Sequence, residues 1–170
     1  MLPCKLNAFA CYVICARGDL ILPNLTEGAL LTGMEYRADA DPGYYREMVD
    51  ELLKVEGDEC TCQLTVREDN YFIESDGQMA EPGVIEHIAQ SASAFAGYKA
   101  VSEGATEPPV GYIGEVKNFR IYRRPQIGDV LRTVIAMGAT VAGVTIISAT
   151  TYCQDECIAE TQMKIFVRED

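Results

Sequence analysis

The sequence predicts an α+β domain in which one curved antiparallel sheet wraps a single long helix, and three observations lead there. A hairpin signal lies between residues 47 and 66, a helix apolar around most of its circumference begins near residue 81, and the last third of the chain is long strand-like stretches with short links. Short links between long strands make neighbours antiparallel. A helix without a polar face has to be enclosed, and the sheet is the layer available to enclose it.

A chain of 170 residues supports one substantial core and is short for two domains. Its 48% apolar and 24% charged residues are those of an ordinary folded domain. With 26 acidic against 14 basic residues the net charge is −12, which repels phosphates and anionic membrane surfaces, so neither nucleic acid nor membrane is expected as a partner. No stretch reaches the roughly 20 apolar residues of a membrane span. The seven cysteines, at 4, 11, 15, 60, 62, 153 and 157, form no C-x-x-C pair and have no accompanying histidines, so no metal site and no complete disulfide framework are expected. Reduced thiols in a cytoplasm are the expectation.

In chain order, Lys5 and the apolar Leu6–Ala16 superficially resemble a signal-peptide core, but Asn7 interrupts it and no small-x-small cleavage site follows. A strand or an extension is the expected reading. Residues 19–46 are rich in Gly, Pro, Asn and Asp, which predicts irregular structure with one short helix near 25–32. Residues 1–46 are therefore read as an N-terminal extension, and 47–170 as the folded domain. Met48–Val55 and Glu59–Val66 flank a Gly57-Asp58 turn; Cys60, Cys62, Leu64 and Val66 alternate with polar residues, the period of a half-buried strand, so the two arms pair. Asn70–Glu74 reads as a short extended piece and Ser75–Gly77 as a turn. Pro82 suits the first turn of the helix that follows, and Gly83 lets other groups approach its backbone. Tyr112–Tyr122, Val130–Met137, Val144–Cys153 and Cys157–Val167 read as a four-stranded meander, with turns at Gly138–Gly143 and Gln154–Glu156.

The helix carries the chain's one histidine, His87, next to Glu86. Burial would raise the pKa of Glu86 and suit it to acid or base work near neutrality; otherwise it is a surface glutamate stabilised by the helix dipole. Gln90 lies one turn along on the same face. His87 points about 100° away from Glu86, so the two cannot serve one substrate atom within a subunit, and a structural histidine bonded to a carbonyl is the plainer reading. Gly83 and Val84 stand at the helix start, where free amides and the dipole could polarise a carbonyl and hold an oxyanion. Lys117, Arg120, Arg123 and Arg124 concentrate positive charge within eight positions; they are either a docking rim for an acidic partner or an ordinary charged strand edge.

Three motifs in this order resemble the hotdog-fold 3-hydroxyacyl-[acyl-carrier-protein] dehydratases. Pro82-Gly-Val84 with Glu86-His-Ile-Ala-Gln90 resembles that family's helix motif, Phe119–Leu131 its Phe-x-Arg-Pro-Val-x-Pro-Gly-Asp-x-Leu stretch, and Met48-Val-Asp50 its first strand. The resemblance covers 47–168. It implies a hotdog fold, active sites between two subunits of a homodimer or a larger oligomer of dimers, and an acyl thioester on an acyl carrier protein or coenzyme A as substrate. It implies no cofactor. Glu86 takes the place of the helix carboxylate, and a neighbouring subunit's His87 is a candidate contributor. The family also carries a His-Phe-Pro-Gly motif whose histidine handles the α-proton, but here Phe72–Ala80 holds no histidine. Three functions therefore remain open: a divergent dehydratase, a thioesterase using Glu86, and a degenerate subunit that pairs with an active dehydratase.

Overall fold

Along nearly every strand the residues that face inward are small or branched hydrophobes two positions apart, and this alternation builds one sheet around one helix. The computed structural model describes residues 48–104 and 111–167. The short helix expected near 25–32, the N-terminal strand or extension and Cys4, Cys11 and Cys15 lie outside the described residues. The strands are β1 (Glu51–Glu56), β2 (Glu59–Thr65), β3 (Gly111–Ile121), β4 (Val130–Val141), β5 (Val144–Cys153) and β6 (Glu156–Val167), and the helix is α1 (Glu81–Ser102). All neighbours are antiparallel, in the order β1-β2-β4-β5-β6-β3. The α+β class and the sheet wrapped around a helix are as the sequence predicts.

Register places the inward residues opposite one another: Cys60 faces Ile135, Cys62 faces Thr133 and Leu64 faces Leu131 across β2 and β4, and Ile147 faces Met163 across β5 and β6. Cys60 and Cys62 are buried free thiols within this core. From the helix, Val84, Ile85, Ile88, Ala89, Ala92 and Phe95 fill the concave side. At full burial each of the larger ones contributes about 1.5–3 kcal/mol.

Three expectations are corrected. The last four strands are not a meander, because β3 lies on the outer edge of β6 and β2 takes the place beside β4. The link 122–129 is too long for a tight turn, and it crosses the end of the sheet, anchored where the Tyr122 N–H donates to Ile158 O at 2.8 Å. The turn expected over Gly138–Gly143 is shorter: β4 runs to Val141 and only Ala142 and Gly143 turn, with φ of 51° and 74°. Two positive φ values match the twist of paired strands, so a two-residue connection suffices. Gly138 instead belongs to an irregular stretch of β4 between Met137 and Thr140, where a Cβ would lie 2.8 Å from Ile146 O. Residues 70–74 are not simply extended either. Ile73 N–H donates to Asn70 O at 3.0 Å, and Ile73 and Met79 bridge, so 72–80 forms a small hairpin ahead of α1.

A line of polar groups crosses the core. Thr151 on β5, Thr133 on β4 and His87 on α1 are all completely buried. Thr133 Oγ1 lies 2.8 Å from Thr151 Oγ1 and 2.8 Å from His87 Nε2, while His87 Nδ1 meets Met48 O. A carbonyl only accepts, so Nδ1 carries the proton; Nε2 then accepts from Thr133, whose oxygen accepts from Thr151. Ser91 Oγ donates to His87 O at 2.8 Å, closing the next turn. The chain ties sheet, helix and the first described residues together with each buried polar atom of the ring satisfied.

Desolvation lowers the His87 pKa to about 4, against the Met48 carbonyl, which favours the charged ring. The unfolded ring titrates near 6.5, so unfolding takes up a proton between these values. Stability is whole above about pH 6.5 and falls as pH drops towards about 4, by about 3 kcal/mol in all. Urea unfolding at pH 7.5 and pH 4.5 should show this loss, and a His87→Gln variant should lack most of it. An equal pH dependence in both proteins would refute the assignment. A second prediction concerns Gly83, where an added Cβ would lie 2.5 Å from Phe72 Cβ and 2.8 Å from Met79 Cγ. Alanine normally favours a helix, but here Gly83→Ala should destabilise the fold by about 1–3 kcal/mol through overpacking. A urea midpoint that rises would count against the tight seat.

Candidate functional site

Successive residues on α1 turn by about 100°, so Glu86, Gln90, Ser93 and Gly97 share one face. These four are half-buried while Ile85, His87, Ile88 and Ala89 beside them are buried, so this is the side of the helix that the sheet leaves uncovered. Glu86 Oε1 accepts a hydrogen bond from Gln90 Nε2 at 2.7 Å. Its Oε2 is buried and has no hydrogen-bond partner among the described residues. Burial raises the Glu86 pKa, and the bond from Gln90 only partly opposes this. A carboxyl with one oxygen held and the other free and desolvated is arranged to exchange a proton with something that enters.

His87 is next in sequence and differently placed. Both its ring nitrogens are occupied within the subunit, by Met48 O and Thr133 Oγ1, and the ring is completely buried. It has no free nitrogen for a reaction, in its own subunit or a neighbour's, so the contribution to a second subunit's site is corrected to a structural one. Thr133 and Thr151 were not singled out from sequence as partners of the helix. Their signal was a pair of hydroxyls at inward positions of otherwise apolar strands.

At the start of α1 the expectation of an unpaired amide at Gly83 is also corrected. The Gly83 N–H donates to Ala80 O at 2.9 Å, and both Gly83 and Val84 are buried. What remains open there is a shallow cleft of about 300 Å³ walled by Glu74, Ala80, Glu81, Pro82 and Arg124. Glu86 is not part of its wall.

The four basic residues each meet acidic groups. Lys117 pairs with Glu115 at 3.4 Å and Arg120 with Glu160 at 3.5 Å. Arg123 binds Asp129 at 2.8 Å and Glu156 at 3.0 Å. Arg124 reaches Glu74, Asp76 at 3.5 Å and the carbonyl of Met79 at 3.0 Å. Each of the four thus already has an acidic neighbour within the chain. Exposed pairs of this kind are individually weak, but Arg123 and Arg124 are partly buried and make several bonds each. Among the described residues no group of three or more His, Cys, Asp or Glu side chains is placed to hold a metal ion. Nor is any described helix long and apolar enough to cross a membrane.

Comparison with known proteins supplies the family. No curated protein matches the chain by sequence. Among solved structures, the dehydratase heterocomplex ApeI:P from Xenorhabdus doucetiae is similar with a TM-score of 0.69 at 15% identity, over 76% of this chain and 88% of that one. The PaaI protein of the phenylacetic acid degradation operon of E. coli gives 0.58 at 10% identity, over 85% and 94%. A hypothetical thioesterase from Streptococcus pneumoniae, solved with coenzyme A, gives 0.57 at 11% identity, over 71% and 89%. At such identities the likeness shows the fold alone, which is the hotdog fold. The model of the ApeP dehydratase family matches residues 47–170, which take in the whole sheet, the buried helix and the Glu86 face. The chain therefore belongs to the ApeP-like dehydratase family.

Proposed function

We propose that the protein binds acyl thioesters and takes part in removing water from a 3-hydroxyacyl thioester carried on acyl carrier protein or coenzyme A, with Glu86 as the acid. The observation that carries this reading is the buried Oε2 of Glu86, without a hydrogen-bond partner among the described residues, on the face of α1 that the sheet leaves uncovered. In the elimination a base takes the α-proton, the Cα–Cβ double bond forms, and the Cβ–O bond breaks as Glu86 gives its proton to the departing hydroxyl. A carboxyl whose pKa is raised by desolvation keeps that proton to higher pH, and the positive end of the α1 dipole favours the negative charge that builds on the thioester oxygen.

The base comes from elsewhere. Residues 72–80 hold no histidine, and His87 has both nitrogens engaged. We infer that a second hotdog subunit that keeps the loop histidine supplies it, so that this chain works in a complex and contributes Glu86. A solved dehydratase heterocomplex among the structural relatives supports such an arrangement. Hydrolysis of the thioester by a water that Glu86 activates is the second reading, since a raised carboxyl pKa suits an acid and a base alike.

Replacing Glu86 with Gln tests this. Mixed with a partner dehydratase subunit, the wild-type protein should dehydrate a 3-hydroxyacyl thioester, followed by enoyl absorbance, and Glu86→Gln should lower the rate about 10²–10⁴-fold. In the wild type the rate should fall at alkaline pH as Glu86 loses its proton, and the variant should lack that limb. Its unfolding midpoint above neutral pH should not drop, since a neutral amide replaces a desolvated charge. Full turnover in the variant, or release of free thiol in place of enoyl product, would overturn the reading.

A further inference from the structure

We propose that Arg124 is a positioning residue: it latches the 72–80 hairpin to the 122–129 link, so that Phe72 and Met79 hold the first turn of α1, and with it Glu86, in one orientation. The geometry is built from two layers of contacts. In the backbone, Met79 N–H donates to Pro125 O at 2.7 Å, Ile127 N–H donates to Gly77 O at 3.1 Å, and Gln78 and Gln126 bridge. The hairpin closes on itself through Ala80 N–H to Phe72 O at 2.8 Å and Glu74 N–H to Gln78 O at 2.9 Å. Over this seam lies the Arg124 guanidinium. Its Nε donates to Met79 O at 3.0 Å, its Nη2 reaches the Glu74 carboxylate and Gln78 O, and its Nη1 lies 3.5 Å from Asp76.

One planar fork thus meets two backbone carbonyls and two carboxylates of the single 72–80 hairpin, which a surface cation seeking only one counter-charge would not need. The hairpin in turn has a rigid hold on the helix. Met79 is completely buried, and Phe72 and Met79 close over Gly83 so tightly that not even a methyl group fits. Glu86 follows Gly83 by less than one helical turn. A small rotation at Gly83 therefore displaces the carboxyl, and displacement on the order of 1 Å changes rates by about 10²-fold when geometry limits a reaction. Arg124 touches no reacting atom in this arrangement. The same segment corresponds to the one that carries a histidine in the 3-hydroxyacyl dehydratases the sequence resembles; in this chain it holds none and serves to set the helix.

The inference rests on the proposed role of Glu86, and the test separates the two. Arg124→Met and Arg124→Lys are compared with the wild type and with Arg132→Gln, a change at an exposed residue on the outer face of β4. Hydrogen exchange is followed at the amides of Met79 and Ala80, and the Glu86 carboxyl is titrated by carbon NMR, neither of which needs activity. In Arg124→Met both amides should exchange about tenfold faster and the Glu86 midpoint should move down towards that of a solvated carboxylate. Arg124→Lys keeps the charge but not the fork, and should fall between; if the methionine variant does not fold, the lysine variant decides alone. With a partner subunit present, kcat should drop at least about tenfold with KM nearly unchanged. Amide exchange and a Glu86 midpoint equal to wild type would overturn the proposal, and so would altered exchange with unchanged kcat. A wild-type protein that dehydrates nothing with any partner would remove the role of Glu86, while exchange and titration still decide whether Arg124 sets the helix.

Discussion

The rest of the structure depends on enclosing α1 on almost every side. Helices in small domains usually keep a polar stripe in water, whereas this one buries Val84, Ile85, His87, Ile88, Ala89, Ser91, Ala92 and Phe95. Each polar atom on such a helix has to be bonded or has to have a use, because an unmet buried polar group costs about 1–3 kcal/mol. Ser91 answers with its own helix carbonyl and His87 with a carbonyl on one side and a threonine on the other. Among the described residues Glu86 is the exception, with one oxygen bonded and the other left unmet.

Much of this was legible before any coordinates, for reasons that differ from element to element. The alternation of Cys60, Cys62 and Leu64 announced β2 because one face of the strand is core and the other is not. The encircling apolar pattern announced a wrapped helix. The position of β3 was not legible, since periodicity reports that a strand exists and says nothing of its neighbour. Only the length of the 122–129 link, with Arg123 tied to both Asp129 and Glu156, allows β3 to leave β4 for the edge of β6. Ala142 was equally opaque, because a positive φ at alanine is set by the strands that the turn must join.

The basic cluster illustrates a further limit. Arg123 and Arg124 are adjacent in sequence and on an acidic protein they suggest a partner with opposite charge. Their partners lie instead about 30 to 50 positions away along the same chain for Glu156, Glu74 and Asp76, and nearby for Asp129. With 26 carboxyl groups against 14 cations, an arginine placed near a fold junction finds an internal counter-charge readily. Charge counted along the sequence therefore overstates what the surface offers, and the same excess of acid leaves the two arginines free to act as internal ties.

Glu86 and His87 show how one constraint produces two opposite outcomes. Desolvation penalises whichever form is charged, so it raises the carboxyl and lowers the imidazole, and both side chains are driven towards neutrality by the same burial. For His87 the neutral form is what the hydrogen-bond chain requires, since only an unprotonated Nε2 can accept from Thr133. Burial and bonding agree there, and the residue is fixed. For Glu86 the neutral form satisfies burial but leaves an O–H or a lone pair without a protein partner, so burial and bonding disagree. A fold selected for stability alone would place an apolar residue or an amide at that position. On the proposed function that disagreement is what an entering substrate oxygen would resolve, and the tight seat of Phe72 and Met79 on Gly83, with His87 bonded on both sides of its ring, holds the helix that carries the carboxyl.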